Sequence, residues 1–245
     1  MILPFLNNLK GCQKALAWLI DPDKWEENFL SGQLSEAREA GIDLIFVGGS
    51  LVSNHIDQLI TKIKSEIEIP VVLFPGSPLQ LSTKADGMLL LSLISGRNSE
   101  YLIGNHVIAA PFLWESGIEI IPTGYILVNG GQQTSVSYMS NTQPIPPEKP
   151  DIALATAMAG EMLGLKVIYL DAGSGAHNPV PLKMISMVSQ KINLPIIIGG
   201  GMRTAADIRN AYKSGADLVV VGSAIENRQC RLSELIAERD SFNNG

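Results

Sequence analysis

Cysteine, basic clusters and long apolar runs are scarce in this sequence. The two cysteines, Cys12 and Cys230, are too few among 245 residues for a disulfide framework or a thiolate metal site. The three histidines stand at positions 55, 106 and 177, without the spacing of zinc ligands. A formal charge of −6 with no basic run gives no electrostatic basis for binding nucleic acid. Disulfide scaffolds, zinc proteins and nucleic-acid binders are therefore disfavoured.

Targeting and nucleotide-binding signals are also missing. Residues 1–10 lack the basic and then apolar regions of a secretory signal, and no apolar run is long enough to span a bilayer. We therefore expect a cytoplasmic protein with reduced thiols and no integral membrane segment. No strand-like run leads into Gly-Lys-Ser or Gly-Lys-Thr, so a P-loop is absent from the sequence.

Apolar runs rich in β-formers alternate with helical patterns along the chain. Hydrophobic residues make up 46% and charged residues 17%, which suits a parallel sheet that is buried on both faces. The length is typical of one α/β barrel. We predict one (β/α)8 TIM-barrel domain over residues 1–245. Its expected strands are 15–20, 43–47, 71–74, 87–93, 118–127, 167–170, 195–198 and 218–221.

One helix of the predicted barrel is missing. Helices are expected at 24–40, 54–67, 99–116, 151–163, 182–191, 204–214 and 232–239, but residues 75–86 between the third and fourth strands contain two prolines and a glycine. We expect a short irregular segment there and an opening in the barrel wall. The flanking apolar runs, 71–74 and 88–91, would line a groove that fits a long hydrocarbon, although such runs are also typical of ordinary core.

Two strand-like runs near the C-terminus end in small residues. Residues 199–201 are three glycines, and residues 222–224 read Gly-Ser-Ala. In barrels of this class the loops after strands seven and eight hold phosphate, because backbone N–H groups approach an anion where no side chain intervenes. The pattern predicts a phosphorylated small molecule as ligand.

Acidic and hydroxyl residues follow the first two strands. Asp21 at the end of the first strand is a candidate Mg²⁺ ligand, but Asp before Pro22 is also typical of a helix N-cap. Ser50 follows Gly48 and Gly49 and is a candidate oxygen ligand for a metal or phosphate, or simply part of a tight turn. The residues alone leave both choices open.

The sixth strand carries the richest signal. Tyr169 and Asp171 alternate and would both face the barrel interior. Asp171 is then a candidate base, or alternatively a salt-bridged core residue. Gly173, Ser174 and Gly175 follow with donors suited to an anion.

Five segments in chain order, between Trp18 and Asn227, are similar to one known family. They read LIDPDK at 19–24, FVGGS at 46–50, YLDAGSGA at 169–176, IGGGMR at 198–203 and VVVGSAIE at 219–226. Together they resemble the geranylgeranylglyceryl phosphate synthases and their heptaprenylglyceryl relatives. The resemblance implies a barrel without a regular third helix. It also implies a Mg²⁺-dependent prenyltransferase that joins the C3 hydroxyl of sn-glycerol 1-phosphate to geranylgeranyl diphosphate, a long prenyl diphosphate, and releases pyrophosphate.

The resemblance also implies roles for individual residues. Asp21 and Ser50 would hold Mg²⁺ beside the diphosphate, and Asp171 would be the base, although many family members have Glu there. Leu19 stands where some bacterial relatives have a lysine, so phosphate binding would depend on backbone amides. The implied glycerol phosphate contacts are Tyr169, Leu170, Asp171, Ala172, Gly173, Ser174, Gly175, Gly200, Gly201, Gly222 and Ser223.

Further expectations concern assembly and alternative activities. Family members are commonly dimers or hexamers, which implies a homo-oligomer, and the apolar helix predicted at 99–116 is a candidate interface. The long segment 132–150 is a candidate lid over the site. The same phosphate cradle also occurs in isomerases and aldolases of phosphosugars, and a barrel that binds phosphate or lipid without turnover is a second alternative.

Overall fold

Eight parallel strands close into a barrel in this computed structural model, which describes residues 1–53 and 55–244. The strands are β1 (Ala15–Ile20), β2 (Leu44–Val47), β3 (Val71–Leu73), β4 (Gly87–Leu93), β5 (Glu119–Leu127), β6 (Val167–Asp171), β7 (Ile196–Gly199) and β8 (Leu218–Val221). Each strand pairs with its neighbours in sequence, and β8 pairs with β1. The predicted barrel is confirmed, with every strand end within one residue of its expected position.

One helix precedes the first strand, and the other helices follow strands. They are α1 (Ile2–Leu9), α2 (Glu27–Ala40), α3 (Ile56–Glu66), α4 (Asn105–Ser116), α5 (Ser135–Ser140), α6 (Pro150–Met162), α7 (Leu182–Ser189), α8 (Ala205–Lys213), α9 (Ser223–Glu226) and α10 (Leu232–Asn243), and a π-helical turn, Glu100–Gly104, precedes α4. Within the described residues, no helix is both long and apolar enough to cross a membrane. Asn54 and Gly245 lie outside the described residues, including the predicted helix start at Asn54, and the single domain over 1–245 stays a prediction.

The predicted gap after β3 is confirmed. Residues 74–86 form turns and bends without a helix. Gln80, which is buried, holds this segment against the end of β2: its Nε2 donates to the Gly49 carbonyl at 2.8 Å, and its Oε1 accepts from the Gly76 amide at 3.0 Å. Gly76 packs so closely that a Cβ there would lie 2.5 Å from the Gly49 oxygen. The barrel wall is therefore open beside β3 and β4.

Side chains along each strand alternate between two core layers. Phe46 and Tyr169 pack inside the barrel, whereas Ile45 and Leu170 pack between the sheet and the helices. The alternation predicted for β6 is confirmed by this packing. It fixes which strand residues can reach a ligand at the barrel axis.

Helix α1 was not expected from the sequence. Its buried side chains, Ile2, Leu6 and Leu9, join the core layer inside the barrel and cover its lower end. Glu119 at the start of β5 accepts from the Ile2 and Leu3 amides at 2.5 and 2.8 Å. A carboxylate there satisfies two donors that a helix cannot satisfy itself.

Replacing Glu119 by alanine should lower the free energy of unfolding by about 1–2 kcal/mol, because two amides at the start of α1 lose their acceptor. Urea unfolding of purified protein measures the change. The matched control is Glu115→Ala, which removes an exposed glutamate on α4 and should stay within about 0.5 kcal/mol of wild type. Equal effects of the two substitutions would contradict the capping role.

Candidate active site

The carboxyl ends of the strands surround a cavity at the upper mouth of the barrel. The predicted residues that line it are Asp21, Ser50, Tyr169, Asp171, Ser174, Gly175, Gly200, Gly201, Gly222 and Ser223. The structure thus brings residues from β1, β2, β6, β7 and β8 to one place, as parallel strands of a barrel do. We call this cavity the mouth.

The predicted site residues Leu170, Ala172 and Gly173 do not line the mouth. The side chains of Leu170 and Ala172 are buried in the layer between sheet and helices, because they alternate with the inward residues of β6. The Ala172 amide donates to the Gly199 carbonyl at 3.1 Å, and the Gly173 amide donates to Asp171 Oδ1 at 2.8 Å. The side chains of Leu170 and Ala172 therefore face away from the mouth, and the implied contacts of these two residues with glycerol phosphate stay a prediction.

Asp171 is a buried carboxylate with two neutral donors. The Tyr125 hydroxyl donates to Oδ2, and the Gly173 amide donates to Oδ1. Burial raises the pKa of Asp171, and these hydrogen bonds offset part of that rise. Within the described residues no lysine or arginine pairs with it, so the alternative of a salt-bridged core residue is wrong. A carboxylate with a raised pKa is suited to accept a proton.

Aromatic rings form the floor of the mouth. Tyr125 and Tyr169 lie side by side on β5 and β6, with ring centroids 5.5 Å apart, and Phe74 is 5.2 Å from Tyr169. Burial raises the pKa of both tyrosines well above the usual value, and the Asp171 charge adds to the rise. Both hydroxyls therefore stay protonated, and Tyr125 remains a hydrogen-bond donor to Asp171.

The loops after β6, β7 and β8 meet at the other side of the mouth. Ser174 Oγ and Ser223 Oγ lie 3.3 Å apart. Gly200 has φ +78°, and a Cβ there would lie 2.5 Å from the Gly173 nitrogen and 2.6 Å from Asp171 Oδ1. Only glycine fits this position without displacing Asp171. The close approach leaves backbone and hydroxyl groups facing the cavity, as the phosphate hypothesis requires.

Asp21 lies at the β1 side of the mouth within a small charge network. Lys24 Nζ is 2.8 Å from Asp21 Oδ2 and 3.6 Å from Glu226 Oε2. The Asp23 amide donates to Asp21 Oδ1 at 3.0 Å. Helix α2 begins only at Glu27, so the alternative of Asp21 as its N-cap is wrong.

The ion pairs in this network shift the pKa values of Lys24 and Glu226. Burial lowers the pKa of Lys24, but the hydrogen bond to Asp21 and the charges of Glu226 and Asp21 outweigh it, so the net shift is upward. Burial raises the pKa of Glu226, the Asp21 charge raises it further, and Lys24 opposes both. Lys24 is therefore a firmly protonated cation at the mouth.

The residues around Asp21 can supply only part of the ligand set of a Mg²⁺ ion. Asp21 and Ser50 line the same cavity, and a Cβ on Gly49 would lie 3.6 Å from both Asp21 carboxylate oxygens, so the ends of β1 and β2 are close. The described residues contain no cluster of three or more histidine, cysteine or acidic side chains that could hold a metal. One carboxylate and one hydroxyl suit a Mg²⁺ ion that takes its other ligands from water and substrate phosphates.

An apolar groove leads from the mouth through the gap in the wall. Its cavity volume in this structure is about 80 Å³, and its lining is mostly apolar. The expected contribution of residues 88–91 is confirmed for Met88, Leu90 and Leu91. For residues 71–74 the alternative of ordinary core is correct for Val71, Val72 and Leu73, and only Phe74 lines the groove. Groove and mouth share Gly49, Ser50, Phe74, Tyr125 and Val136.

The far wall of the groove comes from the π-helical turn, α4 and α5. The Tyr101 hydroxyl donates to the Met139 carbonyl at 3.2 Å and joins these elements. His106 lies in this wall with Nε2 3.3 Å from Ser92 Oγ, and burial lowers its pKa, so the ring is neutral near pH 7. Helix α5 belongs to the segment 132–150 and places Val136 over both cavities. Movement of that segment as a lid stays a prediction.

Tyr125, Lys24 and Glu226 are charged or hydrogen-bonding residues of the mouth that were not predicted as site residues. Tyr125 lies in a correctly predicted strand, in register with Tyr169, and inward alternation along β5 was the available signal. Lys24 and Glu226 lie within the LIDPDK and VVVGSAIE segments. Their contact across the barrel closure depends on the pairing of β1 with β8, which single segments do not reveal.

Comparison with known proteins agrees with this geometry. Residues 12–239 match the PcrB family. A geranylgeranylglyceryl phosphate synthase of Chitinophaga pinensis is 52% identical over 223 residues, which cover 91% of this chain and 88% of that protein. A protein of the same name from Korarchaeum cryptofilum is 41% identical over 227 residues, which cover 92% of this chain and 93% of that protein.

A solved structure has the same fold over the whole chain. It is the (S)-3-O-geranylgeranylglyceryl phosphate synthase of Thermoplasma acidophilum in complex with its substrate sn-glycerol-1-phosphate. It superposes with a TM-score of 0.91 at 31% identity and covers 100% of this chain and 99% of its own.

Asp171→Asn should stabilise the protein near neutral pH. The native pKa of Asp171 is raised above the unfolded value, so the folded chain holds the proton more tightly than the unfolded chain. The free energy of unfolding of wild type should therefore fall as pH rises from the ordinary aspartate range through the native pKa, and the Asp171→Asn substitution should abolish that fall.

Urea unfolding of both proteins between pH 4 and neutral measures this difference. Glu148→Gln, which changes an exposed glutamate in the 132–150 segment, is the control and should follow wild type. If Asp171→Asn were less stable than wild type at every pH, the carboxylate would be a net stabilising group and the argument would fail.

Proposed function

This chain belongs to the PcrB family, and on that premise we propose that it is a prenyltransferase of the geranylgeranylglyceryl phosphate synthase type. It joins the C3 hydroxyl of sn-glycerol 1-phosphate to geranylgeranyl diphosphate and forms 3-O-geranylgeranyl-sn-glycerol 1-phosphate and pyrophosphate. The observation that carries the proposal is the continuity of a polar mouth, with glycine-rich strand ends, and an apolar groove through the wall. One cavity thus suits both a small phosphate and a long hydrocarbon.

Glycerol phosphate is assigned to the β6–β8 side of the mouth. Backbone amides and hydroxyls of Gly200, Gly201, Gly222, Ser223 and Ser174 supply neutral donors there. Leu19 lines the same side without a charge, which supports recognition by amides rather than by a lysine. Tyr169 and Gly175 complete the lining.

The diphosphate is assigned to the β1–β2 side. Asp21 and Ser50 would hold Mg²⁺ there together with the phosphate oxygens, and when bound the ion neutralises negative charge on the leaving group. Phe74 and Tyr125 stand between this position and the groove and keep the reacting carbon in apolar surroundings.

Asp171 is assigned as the base. Its oxygens accept from Tyr125 and Gly173, which fixes the carboxylate orientation, and burial raises its pKa toward that of a useful proton acceptor. It would orient the C3 hydroxyl and take its proton as the C–O bond forms. The proton moves to Asp171, and the bonding electrons of the broken C–O bond leave with pyrophosphate.

The alternative activities have less support. Phosphosugar isomerases and aldolases share the phosphate side of such a barrel, but they offer no reason for an apolar groove joined to it. A barrel without turnover offers no reason for a buried base in the mouth. Relatives about 50% identical also carry the synthase name.

A cytoplasmic location and a homo-oligomer, dimer or hexamer, belong to the same proposal. Trp114 and Val107 are exposed on α4, which supports the expected interface on that helix.

The central test offers wild type Mg²⁺, radiolabelled sn-glycerol 1-phosphate and prenyl diphosphates of increasing length. Organic-extractable label should form with this enantiomer and not with sn-glycerol 3-phosphate. Asp21→Ala should abolish synthesis while circular dichroism shows an intact fold, and Asp171→Asn should lower kcat by about 10²–10⁴-fold. Absence of product with every chain length, from folded wild type, would refute the proposal.

A bulky residue in the groove should shorten the accepted chain. Ala109 on α4 lines the groove, so Ala109→Phe fills space that a long prenyl chain needs. We expect the preference to move toward shorter diphosphates, with KM for sn-glycerol 1-phosphate unchanged and unfolding checked by calorimetry. If the folded variant kept the wild-type preference for prenyl length, the prenyl chain would not occupy this groove.

A further inference from the structure

Cations are rare at the mouth. Of the described residues that line it, two are cationic, Lys24 and Arg203. The Arg203 guanidinium donates to the Ala176 carbonyl at 2.5 Å and to the His177 carbonyl at 3.0 Å, so it braces the loop after β6. Lys24 is held by side chains instead of backbone, and its side chain is about half exposed to the cavity. It is the cation whose position is adjustable.

The contacts of Lys24 place it in competition with any metal at Asp21. Its ammonium lies 2.8 Å from Asp21 Oδ2, and the same carboxylate is the candidate ligand of a divalent cation. Two cations cannot share that carboxylate closely, because their repulsion is strong in a partly buried site. Glu226 Oε2, at 3.6 Å, offers the ammonium a second anchor on the other side. Lys24 can therefore leave Asp21 without leaving the mouth.

We propose that Lys24 is a direct cationic ligand of the prenyl diphosphate and that Glu226 is the positioning residue that keeps the ammonium at the mouth when it moves off Asp21. The inference rests on the proposed function and deepens it. The described residues that line the mouth include more carboxylates than cations, so a cation there lowers the repulsion that a diphosphate meets on entry. Lys24, between Asp21 and Glu226, meets that need.

The probe for this inference is inorganic pyrophosphate. Isothermal titration calorimetry without metal, at fixed ionic strength and with saturating sn-glycerol 1-phosphate, reports the diphosphate position while the other phosphate position is filled. Lys24→Met should weaken pyrophosphate binding about tenfold or more, since one charge-assisted hydrogen bond is lost. Lys24→Arg should restore most of the affinity. Lys24→Gln is a second neutral variant in case Lys24→Met does not fold.

The matched control is Lys62→Met. Lys62 also bridges two carboxylates, Glu66 at 2.7 Å and Glu27 at 3.7 Å, but on the outer helices. Its loss should leave pyrophosphate affinity unchanged. If Lys24→Met and Lys24→Gln, both folded, bind pyrophosphate as tightly as wild type, Lys24 is not a ligand and the proposal is overturned.

Glu226→Gln separates positioning from simple electrostatics by the sign of its effect. Removing a negative charge beside an anion site should tighten pyrophosphate binding if charge alone matters. Loss of the anchor should instead weaken it several-fold, which is the expected result. Tighter or unchanged binding would refute the role of Glu226.

Steady-state kinetics keeps this inference distinct from the proposed function. With active wild type, Lys24→Met should raise KM for the prenyl diphosphate and leave KM for sn-glycerol 1-phosphate unchanged. Active wild type with normal pyrophosphate binding by Lys24→Met would contradict the inference alone. Folded wild type that makes no product with any prenyl diphosphate would contradict the proposed function, whatever its affinity for pyrophosphate.

Discussion

The hydrogen-bonded carboxylate at the end of β6 determines how the mouth is built. Asp171 is buried and receives donors from Tyr125 on β5 and from Gly173 in its own loop. Its other side is closed by Gly200, where a Cβ would collide with Oδ1. One side chain thus contacts strand β5 and the loops after β6 and β7, and the cost of burying its charge is offset by neutral donors rather than by an opposite charge. A fully neutralised carboxylate would be a poor base, so this choice of partners fits the proposed chemistry.

The missing helix shows how an opening in a barrel is made without loss of the fold. A helix after β3 would cover β3 and β4 and remove the groove. The segment 74–86 instead obtains its order from Gln80, whose amide bonds both the segment and the end of β2. The two strands beside the gap keep the parallel pairing of Val72 with Gly87. Local hydrogen bonds therefore replace the packing that a helix normally provides.

The strand positions could be predicted from the sequence to within one residue, because buried parallel strands are continuous apolar runs with glycine or polar ends. Sequence reasoning also placed Tyr169 and Asp171 inward, since alternation is a local property. It missed α1 although Ile2, Leu6 and Leu9 recur at helical spacing, which was an available signal. Only the packing of these side chains inside the barrel depends on the tertiary fold. The Lys24–Glu226 pair and the Tyr125–Asp171 bond join elements that are distant along the chain. Such contacts depend on barrel closure and cross-strand register, which no single segment contains.

Under the proposed function, a chain of net charge −6 handles two phosphorylated substrates, so it must solve an electrostatic problem locally. The phosphate side of the mouth would use neutral donors at Gly200, Gly201 and Ser223, which would bind an anion without adding a cation that Asp171 would attract. A lysine placed there would pair with Asp171 and lower its pKa, so the base would lose strength. The side near Asp21 has the opposite requirement, because a diphosphate carries more charge than amides alone neutralise. Lys24 pairs with Asp21 and Glu226, whereas Asp171 is hydrogen-bonded by the neutral donors of Tyr125 and Gly173, so one cavity can meet both requirements.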